Sequence, residues 1–126
     1  MSSLTTAMRA ANKTRLVCMS SWCTHPGIRT HWFSEWVMRP FVIGNLLKNL
    51  SEMENDLKHN YLDLDFTVVK APGLINTKSS GKTIKTEEDQ FVTGSPMIIP
   101  RRDVAIFMLN CIEKNKWTKK VVSIGL

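Results

Sequence analysis

Small polar residues, a proline and a glycine follow two short apolar stretches of this sequence. The run 20–22 (Ser-Ser-Trp) directly follows the apolar stretch 16–19, and the run 71–76 (Ala-Pro-Gly-Leu-Ile-Asn) follows the stretch 66–69. Hydroxyl groups in the first run could hydrogen-bond a substrate or a cofactor amide. In the second run the proline stiffens the chain and the glycine lets a ligand approach the backbone closely. The alternative is that both runs are ordinary turns at strand ends.

Three apolar, β-branched stretches predict the strands that would position these two runs. They cover 16–19, 66–69 and 121–124 and are nearly continuous rather than alternating, which is typical of parallel strands buried on both faces. Ligands bind at the carboxyl ends of strands in such sheets. The runs 20–22 and 71–76 therefore lie where a ligand is expected.

Helical patterns separate the predicted strands. A helix is expected over 3–13, with Leu4, Ala7, Met8 and Ala11 at helical spacing. A second helical region is expected over 30–60, interrupted by a proline, with its apolar stripe formed by Leu46, Leu50, Met53 and Leu57.

A third helix is expected to begin near Asp103 as its N-cap and to be largely buried, with apolar groups on both sides. Within the stretch 76–99, which is rich in Gly, Ser, Thr and Lys, a short strand is expected at 83–86 and a turn at 94–96. The order of elements predicts an α/β fold with a parallel sheet and right-handed crossovers.

Composition predicts a single domain of ordinary globular type. The chain has 126 residues, of which 43% are hydrophobic and 22% charged, and its net charge is +6. No basic run or nucleic-acid-binding motif accompanies the positive charge, so a solvated basic face is favoured over nucleic-acid binding. The three cysteines form an odd set, and no secretory pattern opens the chain. A cytoplasmic protein is therefore expected.

Other chemical sites are weaker hypotheses. A zinc site is not expected, because the cysteines and histidines at 18, 23, 25, 31 and 111 lack the usual ligand spacing. The serines after the first strand lack the Gly-x-Ser-x-Gly elbow of a hydrolase. Asp63 and Asp65 could act as paired carboxylates, but a solvated turn is the simpler interpretation.

The segment 31–41 concentrates aromatic residues, with two tryptophans and two phenylalanines. Aromatic and basic residues can lie at a membrane surface, and an aromatic segment can also cover a pocket or pack in a core. We rank the lid or core interpretation above the membrane one.

Three blocks of the sequence resemble one known family. The blocks are 15–22 (Arg-Leu-Val-Cys-Met-Ser-Ser-Trp), 63–74 (Asp-Leu-Asp-Phe-Thr-Val-Val-Lys-Ala-Pro-Gly-Leu) and 102–105 (Arg-Asp-Val-Ala) before an apolar helix. They are similar, in order and spacing, to the C-terminal half of the atypical short-chain dehydrogenases of the flavin reductase/biliverdin reductase B and NmrA-like type. The resemblance implies a partial doubly wound, Rossmann-like parallel sheet with helices on both faces.

The resemblance also implies a cofactor, NADP or NAD, and the residues that would hold it. Ser20, together with Ser21, would lie beside the nicotinamide ring, and the backbone of Pro72, Gly73 and Leu74 would form the wall that orients it. Ser20 is the best candidate for a catalytic residue, and Trp22 is the candidate for contact with the substrate. Flavin reductases have a histidine at the position of Gly73.

Two features of such enzymes are missing from the 126 residues. The six glycines form no G-x-G-x-x-G turn, whose backbone N–H groups would bind the pyrophosphate. The Tyr-x-x-x-Lys pair is missing too, because the one tyrosine, Tyr61, is followed four residues later by Asp65. Whether the chain is an enzyme is therefore left open by the sequence.

The sequence favours one domain over 1–126 that lacks the glycine-rich first βαβ unit. Its parent activity would be NAD(P)H-dependent reduction of a flavin-like or small conjugated acceptor, with little independent turnover. The strand at 15–20 would present an unpaired edge that invites self-association. The alternative function is a non-enzymatic module that binds a partner or a membrane surface through segment 31–41 and this strand edge.

Overall fold

A computed structural model describes residues 2–22, 41–61, 63–88 and 91–126. It contains three helices in these residues: α1 (Ser2–Ala10), α2 (Phe41–Asn60) and α3 (Arg101–Glu113). It also contains six strands, which are β1 (Arg15–Ser21), β2 (Asp65–Ala71), β3 (Gly73–Ile75), β4 (Lys85–Glu87), β5 (Ile98–Pro100) and β6 (Lys120–Gly125). None of the described helices is long and apolar enough to cross a lipid bilayer.

Four of the strands form the central sheet in the order β1-β2-β6-β4. β1, β2 and β6 are parallel to one another, and β4 runs antiparallel to β6. The three predicted apolar stretches form the three parallel strands. A mostly parallel sheet with helices between its strands confirms the predicted Rossmann-like α/β class.

The two faces of the sheet are covered by different helices. On one face Leu57 of α2 packs with Phe66 and Val68 of β2. On the other face Val104 of α3 packs with Val69 and Val122. Successive side chains of a strand point to opposite faces, so the continuous apolar run of β2 serves both layers.

The boundaries of the helices differ from the predicted ones. α1 ends at Ala10 rather than at residue 13. Its apolar residues at helical spacing do not form a buried face, since Leu4 is 46% exposed while Thr5 is buried. The alanines among them are too small to decide which face of a short helix turns inward. α2 begins directly after the proline that interrupts the predicted region, and the earlier part of that region, 30–40, lies outside the described residues.

α3 begins near the predicted position, but its predicted N-cap and its predicted burial are wrong. The helix begins at Arg101. The preceding residue, Pro100, occupies the N-cap position with an extended backbone, and its side chain makes no capping hydrogen bond. Asp103 therefore lies in the first helical turn rather than at the N-cap. One face of α3 packs on the sheet, whereas the side chains on its outer face are about half exposed: Ile106 (50%), Leu109 (57%) and Ile112 (51%).

Two short strands form where the sequence predicts a loop. Gly73–Ile75 pairs in parallel with Ile98–Pro100 as a separate two-stranded sheet. This pairing is non-local, so no pattern within the run 71–76 reveals it. The predicted strand at 83–86 is found slightly later, at Lys85–Glu87, and the predicted turn contains Gly94 with a φ of +75°.

Candidate functional site

The strand register brings the two predicted loop segments to one end of the sheet. Ser20 of β1 lies opposite Lys70 of β2, and Ser21 lies opposite Ala71. The backbone N–H of Trp22 continues the ladder by donating to the carbonyl oxygen of Ala71 at 3.1 Å. The chain then enters Pro72. Ser20 and the wall residues therefore lie at the same carboxyl end of neighbouring parallel strands.

A row of polar residues crosses the sheet at this level. Lys70 lies between Ser20 on β1 and Ser123 on β6, and Ser123 in turn lies opposite Glu87 of β4. Register partners in a sheet project to the same face. Ser20, Lys70 and Ser123 are also all buried, with exposed fractions of 4% or less. On the face of the sheet that α2 covers, polar groups thus replace the apolar core at the carboxyl end.

Glu54 of α2 joins this row from the covering helix. Its Oε1 accepts a hydrogen bond from the Ser20 hydroxyl at 2.5 Å, and its Oε2 accepts one from Lys70 Nζ at 3.3 Å. The side chains of both Glu54 and Lys70 are fully buried. We call Ser20, Glu54 and Lys70 the buried triad. It links β1, β2 and α2 directly beneath the end of the sheet where a ligand is expected.

This buried ion pair is stable only while the Glu54 carboxylate and the Lys70 ammonium remain in contact. Removing a carboxylate and an ammonium from water costs several kcal/mol per ion, which the pair offsets only through close contact and further hydrogen bonds.

The Glu54 charge also affects the pKa of a neighbouring thiol. Burial, with a smaller contribution from the Glu54 charge, raises the pKa of the Cys18 thiol to about 11. Cys18 is therefore a poor nucleophile at neutral pH.

Glu54 and Lys70 are not among the sequence-predicted site residues, although both carry a recognisable signal. Lys70 continues the apolar stretch of β2 and is followed by Ala71, so its charge falls inside a buried strand. Glu54 lies four residues after Leu50 and three before Leu57, on the inward stripe of its helix. A glutamate and a lysine at two such positions, on elements that pack together, predict a buried pair.

The wall formed by residues 72–74 is buried at its first residue and exposed at its second. Pro72 is buried, Gly73 is exposed and Leu74 is half-buried. The Gly73 N–H donates to the carbonyl oxygen of Met97 at 2.9 Å, which ties β3 to the chain before β5. A Cβ at position 73 would lie 3.1 Å from that same oxygen, a close approach that favours glycine. The backbone at Gly73 is thus held in place and open to a ligand.

Trp22 is placed in the core beside the wall. Its side chain is 2% exposed, and its Nε1–H donates to the carbonyl oxygen of Ile124 at 3.1 Å. The indole packs with Val92 and lies 6.4 Å from the Phe91 ring, centroid to centroid. Its role in substrate contact stays a prediction. Ser21, beside it, is half-buried.

A second polar contact fixes the loop that follows the wall. The buried carboxylate of Asp103 in α3 accepts hydrogen bonds from the Ser79 hydroxyl and, at 3.1 Å, from the Ser80 backbone N–H. The bond from Ser79 contributes most to holding the pKa of Asp103 below its usual range. Asp103 thus ties the loop after β3 to the start of α3.

Several sequence hypotheses cannot be placed in the structure. The aromatic segment 31–41 lies outside the residues whose side chains are described, as do Cys23, His25 and His31. In the described part of the chain, no three His, Cys, Asp or Glu side chains are grouped closely enough to hold a metal. Asp63, one of the two candidate paired carboxylates, instead forms an exposed ion pair with Arg9 at 2.8 Å.

Comparison with solved structures shows which fold this is. A protein from Burkholderia pseudomallei is 19% identical, with a TM-score of 0.79 over 99% of this chain and 61% of its own. A short-chain dehydrogenase/reductase from Veillonella parvula, solved in complex with NADP, is 16% identical with a TM-score of 0.75 over 98% and 56%. An anaerobillin reductase from Escherichia coli is 18% identical with a TM-score of 0.64 over 92% and 52%.

The 126 residues span only about half to three fifths of the length of these proteins. No curated protein matches the chain. A family model described as NAD(P)H-binding, however, matches residues 1–115, nearly the whole sequence. This match confirms the predicted resemblance at the level of an NAD(P)-binding, Rossmann-like protein, and it confirms NADP or NAD as the cofactor that the resemblance implies. The chain belongs to the NAD(P)H-binding family and has its Rossmann-like fold.

Proposed function

We propose that the chain forms the nicotinamide side of an NAD(P)H-dependent oxidoreductase site. In this proposal the ring lies between Ser20 and Ser21 on one side and the backbone of Pro72, Gly73 and Leu74 on the other. The observation that carries the proposal is the register of β1 and β2, in which Ser21 lies opposite Ala71. That register brings two segments, 50 residues apart in the chain, to one carboxyl end of the parallel sheet.

The residues at this end fit a flat ring that carries an amide. The exposed Gly73 backbone and the half-buried Leu74 side chain offer a close, partly apolar surface. Ser20 offers a hydroxyl oxygen at the buried end of the same site. When bound, a reduced nicotinamide supplies a hydride. The role of these residues is to orient the ring and to keep water from one of its faces.

We infer that the acceptor is a flavin-like or small conjugated molecule. Hydride transfer to such a molecule needs alignment of two planar groups more than it needs a strong acid. This agrees with the missing Tyr-x-x-x-Lys pair. One structural neighbour is an anaerobillin reductase, which supports the same class of acceptor. The free thiols of Cys18 and Cys111 fit a reducing compartment such as the cytoplasm.

We further propose that the 126 residues alone bind the cofactor weakly and turn over little. The glycine-rich turn that would bind the pyrophosphate is missing from the sequence, so the adenosine and diphosphate groups gain few contacts. The domain assignment follows: residues 1–126 provide the C-terminal part of an NAD(P)-binding domain. In this proposal, the residues that bind the diphosphate are not among these 126.

Comparing the two halves of the cofactor as separate ligands tests the proposal. The chain, labelled with ¹⁵N, is titrated to millimolar concentration with nicotinamide mononucleotide and, separately, with adenosine 2′,5′-bisphosphate. We expect nicotinamide mononucleotide to shift the amide resonances of residues 20–22 and 71–75, whereas the adenosine compound leaves them unchanged. If the adenosine compound shifts these resonances and the nicotinamide compound does not, the assignment of this end of the sheet is wrong.

A second candidate function is a non-enzymatic interaction module. The observation that favours it is the position of β1, which is the outermost strand of the four-stranded sheet and exposes 42% of Met19. An apolar strand edge of this kind pairs readily with another chain. This function predicts binding to a partner chain and no response to either half of the cofactor.

A further inference from the structure

We propose that Glu54 and Lys70 are positioning residues that make Ser20 a selective hydrogen-bond acceptor for a carboxamide. This inference rests on the proposed function, in which a nicotinamide ring lies beside Ser20. It goes beyond that function in two ways. It explains why a buried ion pair lies at this place, and it explains how the site would distinguish a carboxamide from other substituents on the ring.

The direction of the Ser20 proton follows from the chemistry of its partner. A carboxylate accepts hydrogen bonds and has none to donate. Glu54 Oε2 lies 3.3 Å from Lys70 Nζ, and the two buried groups form an ion pair. The hydrogen bond between Ser20 and Glu54 Oε1, 2.5 Å long, therefore uses the proton of the serine hydroxyl. The serine oxygen keeps only lone pairs for any other partner.

Lys70 keeps this arrangement in place. The Lys70 ammonium compensates the charge of the buried Glu54 carboxylate. Both carboxylate oxygens then act as acceptors, Oε1 toward the serine hydroxyl and Oε2 toward the lysine. Lys70 lies opposite Ser20 in the strand register, and its ion pair with Glu54 ties β2, the strand that leads into Pro72, to α2. The buried triad thus sets the direction of the Ser20 hydrogen bond and holds the strand that precedes the wall.

The consequence is discrimination between two similar rings. Nicotinamide carries a carboxamide whose N–H can donate to the serine oxygen. Nicotinic acid carries a carboxylate, which offers only acceptors and would face the lone pairs of Ser20. A site that presents a fixed acceptor rejects a ligand lacking the donor, because a buried polar group is left unpaired. One such hydrogen bond corresponds to a preference of about tenfold.

The experiment measures the ratio of two dissociation constants rather than either alone. Nicotinamide mononucleotide and nicotinic acid mononucleotide are titrated against the ¹⁵N-labelled chain, and binding is followed at the amides of 20–22 and 71–75. We expect the wild-type chain to prefer the carboxamide about tenfold. In Glu54→Gln the new amide can donate to the serine oxygen, so the hydroxyl can turn outward, and the preference should fall below about threefold.

A double-mutant cycle separates this effect from a general loss of structure or charge. Ser20→Ala should abolish the preference, and Glu54→Gln added to Ser20→Ala should change the ratio no further. The variant Glu54→Gln/Lys70→Met removes both buried charges at nearly constant volume. It should show the same loss of preference as Glu54→Gln. It serves as the measurement if Glu54→Gln alone does not fold.

Each outcome decides the inference. If both ligands bind at these residues and Glu54→Gln keeps the wild-type ratio, Glu54 does not position Ser20. The same holds if Glu54→Gln changes the ratio equally when residue 20 is alanine, because the effect then bypasses the serine. In both cases the proposed function stands. If neither ligand shifts the amides of 20–22 and 71–75, the proposed function fails and this inference fails with it.

Discussion

At the scale of single residues, the buried pair of Glu54 and Lys70 has a large energetic consequence. Both side chains are fully buried, and a hydrogen bond from Ser20 completes the group. An apolar pair of similar volume would stabilise a protein core as well as or better than such ions do. A charge pair at the carboxyl end of the sheet is therefore more readily explained by the site above it than by stability.

The first prediction concerns what happens when one ion is left alone. Lys70→Met leaves the Glu54 carboxylate buried without its ammonium, and we expect the free energy of unfolding at pH 7 to fall by about 3–5 kcal/mol. Unfolding in urea, followed by circular dichroism, measures the change. Glu54→Gln/Lys70→Met should recover a large part of the loss, since no unpaired charge remains.

Lys120→Met is the matched control for this prediction. Lys120 also pairs with a glutamate, Glu88, at 2.6 Å, but both side chains are more than half exposed. Exposed pairs contribute little, so this variant should unfold close to the wild-type urea midpoint. Equal losses in Lys70→Met and Lys120→Met would show that burial of the first pair has no special consequence.

Individual elements show how far the sequence predicts this fold. Continuous apolar stretches predicted β1, β2 and β6 because each strand needs apolar groups on both faces. The same local patterns could not reveal β3 and β5, whose pairing joins distant parts of the chain. They also gave the wrong N-cap for α3, because Asp103 has the side chain of an N-cap but accepts hydrogen bonds from Ser79 and Ser80 instead.

The candidate site was predicted only in part for a similar reason. Strand ends can be read from the sequence, and they pointed to the runs 20–22 and 71–76. The family resemblance then implied Ser20 and the wall at 72–74. The buried triad depends on how α2 lies on the sheet. Helical periodicity places Glu54 on the inward stripe, but only packing decides that this stripe meets Lys70 rather than an apolar residue.

The second prediction concerns the contact between Asp103 and the loop after β3. The pKa of Asp103 is lowered in the folded protein, so the unfolded chain binds a proton at this group at a higher pH. Its stabilising effect is therefore complete above the ordinary carboxyl pKa of about 4 and is lost as the pH falls through the lower folded value. We expect Asp103→Asn to lower the unfolding free energy by about 1 kcal/mol at pH 7.

The pH dependence provides the check on this prediction. Urea unfolding of wild type and Asp103→Asn is compared from pH 7 to pH 3. The difference between them should stay constant down to about pH 4 and shrink below it, because the unfolded wild-type chain then gains a proton at Asp103 while the folded protein still resists protonation. A difference that stays constant down to pH 3 would mean that the Asp103 charge does not contribute to the contact.

On the scale of the whole molecule, the open edge of the sheet is the prominent feature. β1 is the outermost strand of the four-stranded sheet in the described part of the chain, and its residues are mostly half-buried rather than covered. Met19 on this strand is 42% exposed. An edge strand that carries no charge after its first residue, Arg15, can pair with a second chain. Self-association through β1 is therefore our third prediction.

Introducing a charge at the edge should weaken that self-association. We expect Met19→Lys to move the sedimentation velocity distribution toward the monomer at micromolar concentration, since a lysine on an edge strand opposes pairing. Leu109→Lys, at an apolar position of α3 that is 57% exposed, is the control and should leave the distribution unchanged. An effect of Leu109→Lys without one of Met19→Lys would place the contact on the helix instead.

The proposed function depends on where a nicotinamide ring lies on this molecule. Intermolecular nuclear Overhauser effects between the ring protons of NADPH at millimolar concentration and the labelled chain measure this directly. We predict contacts from the ring to the Leu74 methyl groups and to the backbone of Gly73, at the end of the sheet that holds Ser20. Ring contacts to other parts of the chain, with none to residues 20–22 or 72–74, would contradict the account.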